Sequence, residues 1–191
     1  MTAVSPCFTP GTQIATNRGW RPVETLRRGD RVVTRDNGLK RIAWVGRRDL
    51  SFADLHTLPN LRPILVRKGS FGQGTPARDM LVSPSHRFLV KTLSSGGNEV
   101  LFAARALTFR RGVQGVSVLG VSYLHLLLEA HEVILADGVW TESFHPDDET
   151  LLGLGPDTRG EILSLFPEIE TLGAARRFPA ARDIHQSRFE R

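Results

Sequence analysis

The feature that most constrains this chain is a succession of short segments in which apolar and polar residues alternate, each closed within a few residues by a turn signal. Residues 12–16, 30–34, 40–46, 63–68, 80–90, 99–104, 121–128 and 131–140 follow this pattern. The punctuation is Asn37-Gly38, Gly69-Ser70, Ser95-Gly96-Gly97 and Asp137-Gly138. Alternation sends successive side chains to opposite faces of an extended strand, so one face of each segment is apolar. Many such strands with Gly and Pro between them imply an all-β sandwich or barrel. Asn37-Gly38 predicts a tight hairpin with positive φ at both turn positions.

Two helical pieces interrupt the β pattern. Residues 21–30 place Pro22 where a first helical turn tolerates it and Gly29 where a helix stops. Residues 102–108 read as another single turn. After Phe144 the character changes: an acidic stretch leads to Pro156, then Ile162, Leu163, Leu165 and Phe166 form a helical stripe halted by Pro167. From Ala174 onward there is little periodicity and much charge, which predicts a loosely attached end. The expected organisation is a leader of residues 1–6, a β domain over 7–145, and a partly helical tail over 146–191.

A chain of 191 residues with 40% hydrophobic content builds a core without covalent staples, and its one cysteine, Cys7, has no partner for an internal disulfide. Nothing near Met1 reads as a signal peptide, and the apolar runs are too short for a membrane span. A soluble protein is expected, its compartment left open. The net charge of +5 comes mainly from arginines scattered as Arg47 and Arg48, Arg110 and Arg111, Arg176 and Arg177. Without a basic stripe or interleaved aromatics, this reads as a solvated surface, and nucleic acid is not an expected partner. A nucleic-acid-binding barrel would need one continuous basic face.

Cys7 precedes a Pro10-Gly11 turn instead of sitting inside an apolar run, which separates it from the ordinary buried core thiol. Ser83 and His86 flank Pro84, whose ring interrupts strand pairing, so a short turn there aims a hydroxyl and an imidazole at a common point. His is the natural proton carrier near neutral pH. His125 shares a strand face with Tyr123, and His131 opens the next strand beside Glu132. Cys7, His86, His125 and His131 are zinc-ligand types, but none of them shows the close C-x-x-C or H-x-x-x-H spacing, and no metal is expected.

Three blocks carry a resemblance. "CFTPGTQIATNRGWRPVETLRRGDRVVT" resembles the first block of the Hint superfamily, the hedgehog and intein autoprocessing domains. "MLVSPSHRFLV" resembles the second block, with Ser83 and His86 at its Thr and His positions, and "HEVILADGVWTESF" resembles the closing block, especially its hedgehog form. The match spans residues 7–144 and is most similar to bacterial stand-alone Hint-type proteins.

The resemblance implies a flattened horseshoe of pseudo-twofold β hairpins and a cysteine-initiated acyl shift. The Cys7 thiol would attack the Pro6 carbonyl and convert the peptide bond to a thioester. His86 would protonate the scissile nitrogen, Ser83 and backbone donors would hold the oxyanion, and His125 or His131 would assist the thiol or a second nucleophile. Among the three histidines the motif ranks His86 first. Ser143 falls where the hedgehog family has its second cysteine. Glu142 stands near the terminal Asn position of inteins and has no amide nitrogen to cyclise, so splicing is not expected. The substrate is then the chain's own N-terminal flanking segment, an external nucleophile or water is the resolving partner, and no cofactor is called for. The rival reading is an idle Hint scaffold that binds a partner protein.

Overall fold

The computed structural model describes residues 5–91 and 98–185. The turn expected at Ser95-Gly96-Gly97 lies outside them. The strands are β1 (Gln13–Thr16), β2 (Gly19–Pro22), β3 (Arg31–Thr34), β4 (Gly38–Ser51), β5 (Ile64–Val66), β6 (Met80–Val82), β7 (Arg87–Lys91), β8 (Glu99–Ala103), β9 (Val113–Gly115), β10 (Gly120–Leu128), β11 (Val133–Ala136), β12 (Val139–Glu142) and β13 (Asp183–Ile184). Five helices accompany them: α1 (Phe52–Thr57), α2 (Asp148–Gly153), α3 (Pro156–Leu165), α4 (Glu168–Leu172) and α5 (Ala174–Arg177). The two expected helical pieces are short 3-10 turns at Val23–Thr25 and Ala104–Leu107. α1 was not anticipated; Ser51 and Asp54 cap it reciprocally, each bonding the other's backbone N–H.

The large sheet runs β10-β4-β3-β1-β11-β12-β7-β8-β13, with β2 paired to β1, and a smaller sheet runs β6-β5-β9. β6 and β7 therefore belong to different sheets although only residues 83–86 separate them. Pro84 sits in that crossing, where no ladder hydrogen bond is required of it.

The tight hairpin turn expected at Asn37-Gly38 forms elsewhere. Asp137 and Gly138 have φ of 45° and 81° and join β11 to β12 as a two-residue loop, with Ala136 opposite Val139. At the β3–β4 connection Thr34 pairs with Gly38, so the loop has three residues and only Gly38 adopts positive φ, 66°. Register, set by the two strands, decided between the two turn forms.

β10 explains how the site is held. Leu124, Leu126 and Leu128 enter the main core with Phe8, Ile14, Val82 and Ile134. On the other face Tyr123 packs with Cys7, Leu50, Leu55 and Leu61, while Leu127 packs with Trp44, Phe144 and the C-terminal helices. His125 lies on that second face between the two clusters, and the strand is buried from Tyr123 to Leu128 because both faces are covered.

The end from Ala174 was expected to be loosely attached, but as far as it is described, to His185, it is held against the domain. Leu151, Ile162, Phe166, Ile169, Ala174 and Phe178 are buried against Trp44, Leu127 and Phe144. Phe178 has no exposed surface, β13 pairs in parallel with β8, and Arg182 bonds Glu99 and Asp36. Its apolar anchors are spaced across several short helices, so no single helical period marks them. Among the described residues no helix is long and apolar enough to cross a membrane.

Candidate active site

Residues 5–9 thread between the two sheets. Phe8 bonds Leu124 of β10 through both backbone groups at 2.9 Å, and the Ser83 N–H donates to the Cys7 carbonyl at 3.1 Å. This pins the peptide bond before Cys7 against β10 on one side and the Ser83 turn on the other.

Ser83 closes the second side through its hydroxyl. Its Oγ accepts the Cys7 backbone N–H at 2.9 Å and donates to the Ser5 carbonyl at 2.7 Å. The thiol itself donates to the Ser5 carbonyl at 3.0 Å. Around Cys7 Sγ, His125 Nδ1 stands at 3.4 Å and Nε2 at 3.7 Å. His125 Nδ1 is also 3.2 Å from the Pro6 carbonyl oxygen. A carbonyl only accepts, so the bond places a proton on Nδ1 and leaves Nε2 with its lone pair.

The imidazole is held in that pose by aromatic packing. Trp44 stacks on it at 6.1 Å between centroids and Phe144 meets it edge-on at 4.9 Å. Trp44 needs a glycine opposite His125 in the β4–β10 ladder. A Cβ on Gly46 would fall 1.9 Å from the indole ring. From the tail, Glu161 accepts the indole N–H at 2.8 Å.

Burial sets the electrostatics. It pushes the Cys7 thiol well above its usual range; the Ser83 hydroxyl and, less, the Arg48 guanidinium draw it back only in part. Burial lowers His125 to about 4, opposed by the bond to Pro6 and reinforced by Arg48. The resting pair is therefore a neutral thiol beside a neutral imidazole.

His86 belongs to the same turn but faces β12. Its Nε2–H donates to Thr141 Oγ1, whose own proton goes to the Arg87 carbonyl at 2.7 Å. Its Nδ1 is buried with no hydrogen-bond partner among the described residues. The Phe8 and Phe88 rings enclose it, and burial lowers its pKa to about 4, against the pull of Glu142.

His131 joins a different group. Its Nε2 lies 3.3 Å from Glu142 Oε2, its Nδ1 accepts the Ala181 N–H at 3.2 Å, and its ring stacks on His145 at 4.1 Å. His145 Nε2–H donates to the Phe178 carbonyl at 2.8 Å, so both rings hold the tail. Burial pushes Glu142 up, but Arg87, bonded at 2.9 Å, and His131 outweigh it and hold the carboxylate below its usual range. Ser143 is fully buried at the end of β12, with Oγ accepting the Glu132 N–H at 3.0 Å and no bond to Cys7.

The structure thus gathers Cys7, Ser83 and His125 around one peptide bond, sets His86 beside it, and leaves His131 and Ser143 outside. The resting geometry differs from the arrangement the resemblance implied: the hydroxyl meets the Cys7 nitrogen and His125 meets the Pro6 carbonyl oxygen. Arg48 and Thr141 were missed as site residues. Thr141 is legible only from its place opposite Phe88 in the β7–β12 pairing, and Arg48 was one arginine among many. Among the described residues no three His, Cys, Asp or Glu side chains converge as metal ligands.

The family model of the Hint domain matches residues 6–148. The chain belongs to the Hint domain family, a family of self-processing domains, and has its mostly β fold of curled sheets followed by short C-terminal helices. Among solved structures, a bacterial intein-like domain from Clostridium thermocellum is 14% identical, with 71% of this chain and 96% of that one covered at a TM-score of 0.46. The MchDnaB-1 intein is 17% identical, with 71% and 98% covered at a TM-score of 0.45. A DnaB intein from Synechocystis sp. PCC 6803 is 9% identical, with 72% and 98% covered at 0.43. No curated protein matches the chain.

Proposed function

We propose that this domain cleaves the Pro6-Cys7 bond by an N-to-S acyl shift, without splicing. The observation that carries the reading is the position of one histidine. His125 Nδ1 is 3.2 Å from the carbonyl oxygen that would gain negative charge, while the attacking sulfur is 3.4 Å from the same atom.

His125 then has two tasks. Its Nδ1–H polarises the Pro6 carbonyl and holds the oxyanion, a role in which a donor in a dry site is worth most. Its Nε2, 3.7 Å from Sγ, takes the thiol proton as the sulfur attacks. The C–S bond forms, the C–N bond breaks, and the Cys7 nitrogen gains the proton that the thiol gave up. Ser83 Oγ, bonded to that nitrogen, and the unpartnered His86 Nδ1 in the same turn carry the proton to it. Water or an external nucleophile attacks the thioester carbonyl and releases the acyl segment. We leave Ser143 out as the acceptor, since its fully buried hydroxyl accepts the Glu132 N–H and makes no bond to Cys7.

The test is an intact-mass measurement on the full chain carrying a larger N-terminal fusion, with and without dithiothreitol. Thiol-accelerated loss of the fusion at Pro6-Cys7, abolished in Cys7→Ala, is the expected result. An unchanged mass would remove this reading in favour of an idle scaffold.

A further inference from the structure

We infer that the cavity between β4, His125 and the α2–α3 connection is the entry site for the resolving nucleophile, and that it selects a small anionic one. The inference names the acceptor class for the proposed acyl shift and rests on that reading.

Space is the first argument. The void at Cys7, walled by Ser5, Leu50, Leu61, Tyr123, Arg48, His125 and Leu154, measures about 20 Å3. That holds about one water molecule, so a larger nucleophile has no room beside the sulfur. Next to it is a cavity of about 400 Å3, bounded by Arg47, Arg48, His125, Gly153, Leu154, Gly155 and Thr158. Such a volume suits a small ligand. Arg48, His125 and Leu154 line both spaces, so the large cavity borders the void at Cys7. A slightly larger cavity of about 460 Å3, beside Pro84 and Arg105, shares no residue with the Cys7 void.

Charge is the second argument. No carboxylate lines the 400 Å3 cavity. Of its two guanidinium groups, Arg47 is committed to Asp49 at 3.0 Å and to Ser122. The Arg48 side chain makes no hydrogen bond or ion pair among the described residues, and a carboxylate its charge acts on is the exposed Asp54. It stands opposite Tyr123 in the β4–β10 ladder, two positions from the Gly46–His125 pair, close enough to act on both Cys7 and His125. A cation with no bonded partner among the described residues, at the junction of the two spaces, draws a carboxylate or sulfonate and leaves a thiol or amine a few bonds away toward the Pro6 carbonyl.

The exchange balances without further reagents. The incoming sulfur or nitrogen bonds to the Pro6 carbonyl carbon, the bond to Cys7 Sγ breaks, and its electron pair returns to that sulfur. The proton lost by the incoming group passes to Cys7.

The experiment uses the full chain with the N-terminal fusion and three thiols of similar size: 2-mercaptoethanesulfonate, neutral 2-mercaptoethanol and cationic cysteamine. The quantity read is the cleavage rate with each charged thiol relative to 2-mercaptoethanol, which cancels general effects of a variant on the acyl shift. Arg48→Glu should lower the relative rate for the sulfonate about tenfold and raise that for cysteamine. Equal ratios in wild type and variant would overturn the inference while leaving the acyl shift in place. Binding of unreactive ethanesulfonate is measured separately in Cys7→Ala by the His125 and Trp44 side-chain NMR signals. Saturable shifts that Arg48→Glu removes support the site even if no thiol cleaves the fusion. Their absence overturns it.

Discussion

Nδ1 of His125 lies 3.2 Å from the carbonyl oxygen of Pro6, a contact between residues 119 positions apart that a single β-bridge at Phe8 and Leu124 brings together. The contact ranks His125 above the histidine that the motif favours. His125→Ala should slow thiol-induced cleavage about 100- to 1000-fold, the usual cost of a lost oxyanion donor. His86→Ala, at the motif's first-ranked histidine, should slow it less. Single-exponential rates of fusion loss decide, and equal loss in both variants would reject the ranking.

Gly46 leaves the space in which Trp44 stacks on His125. Gly46→Ala forces the indole to move, because the new Cβ would stand 1.9 Å from it. Overpacking of this kind costs about 1–3 kcal/mol. Urea denaturation should register that loss, and cleavage should slow as His125 leaves its pose. A variant with wild-type stability and rate would show that the stacking does not position the imidazole.

Ser83 satisfies two buried backbone groups at once, the Cys7 N–H and the Ser5 carbonyl. Ser83→Ala leaves the Cys7 N–H unpaired and the Ser5 carbonyl with only the thiol as donor, and should destabilise the fold by about 1–3 kcal/mol. Ser83→Thr retains the hydroxyl and should recover much of that stability. Equal midpoints for wild type and the Ala variant would mean that other groups satisfy this backbone.

Phe178 anchors the C-terminal segment. Phe178→Ala should cost about 3–5 kcal/mol, the range for a fully buried aromatic. A loss below about 1 kcal/mol, as expected on the surface, would return the segment to the loosely attached state its sequence suggested.

His86 and His125 are buried as neutral rings with pKa values of about 4, below the ordinary 6.5. The unfolded chain therefore takes up protons first as pH falls. Their contribution is complete above about pH 6.5 and is lost as the pH drops toward 4, on the order of 3 kcal/mol for each ring. Denaturation midpoints from pH 7 to 4 should fall accordingly. His125→Gln, which does not titrate, should flatten the profile.

The sequence by itself determined the β character, the three blocks and the chemical types at the site. Period-two alternation and turn residues are local properties, and a thiol, a hydroxyl and an imidazole declare their chemistry wherever they stand. Tertiary structure decided the rest. Asp137-Gly138 took the tight turn that Asn37-Gly38 also offered, because strand register is a property of the pair. Ser83 met the Cys7 nitrogen, and His125, not His131, met the thiol, since residues 5–9 are threaded between two sheets and that path is invisible in local spacing. The end from Ala174 gave no periodic signal because Phe178 finds its partner surface on Trp44, Leu127 and Phe144, far away in the chain. Arg48 shows the same limit: an arginine becomes distinctive only when the folded chain sets it beside the one thiol with no side-chain bond among the described residues.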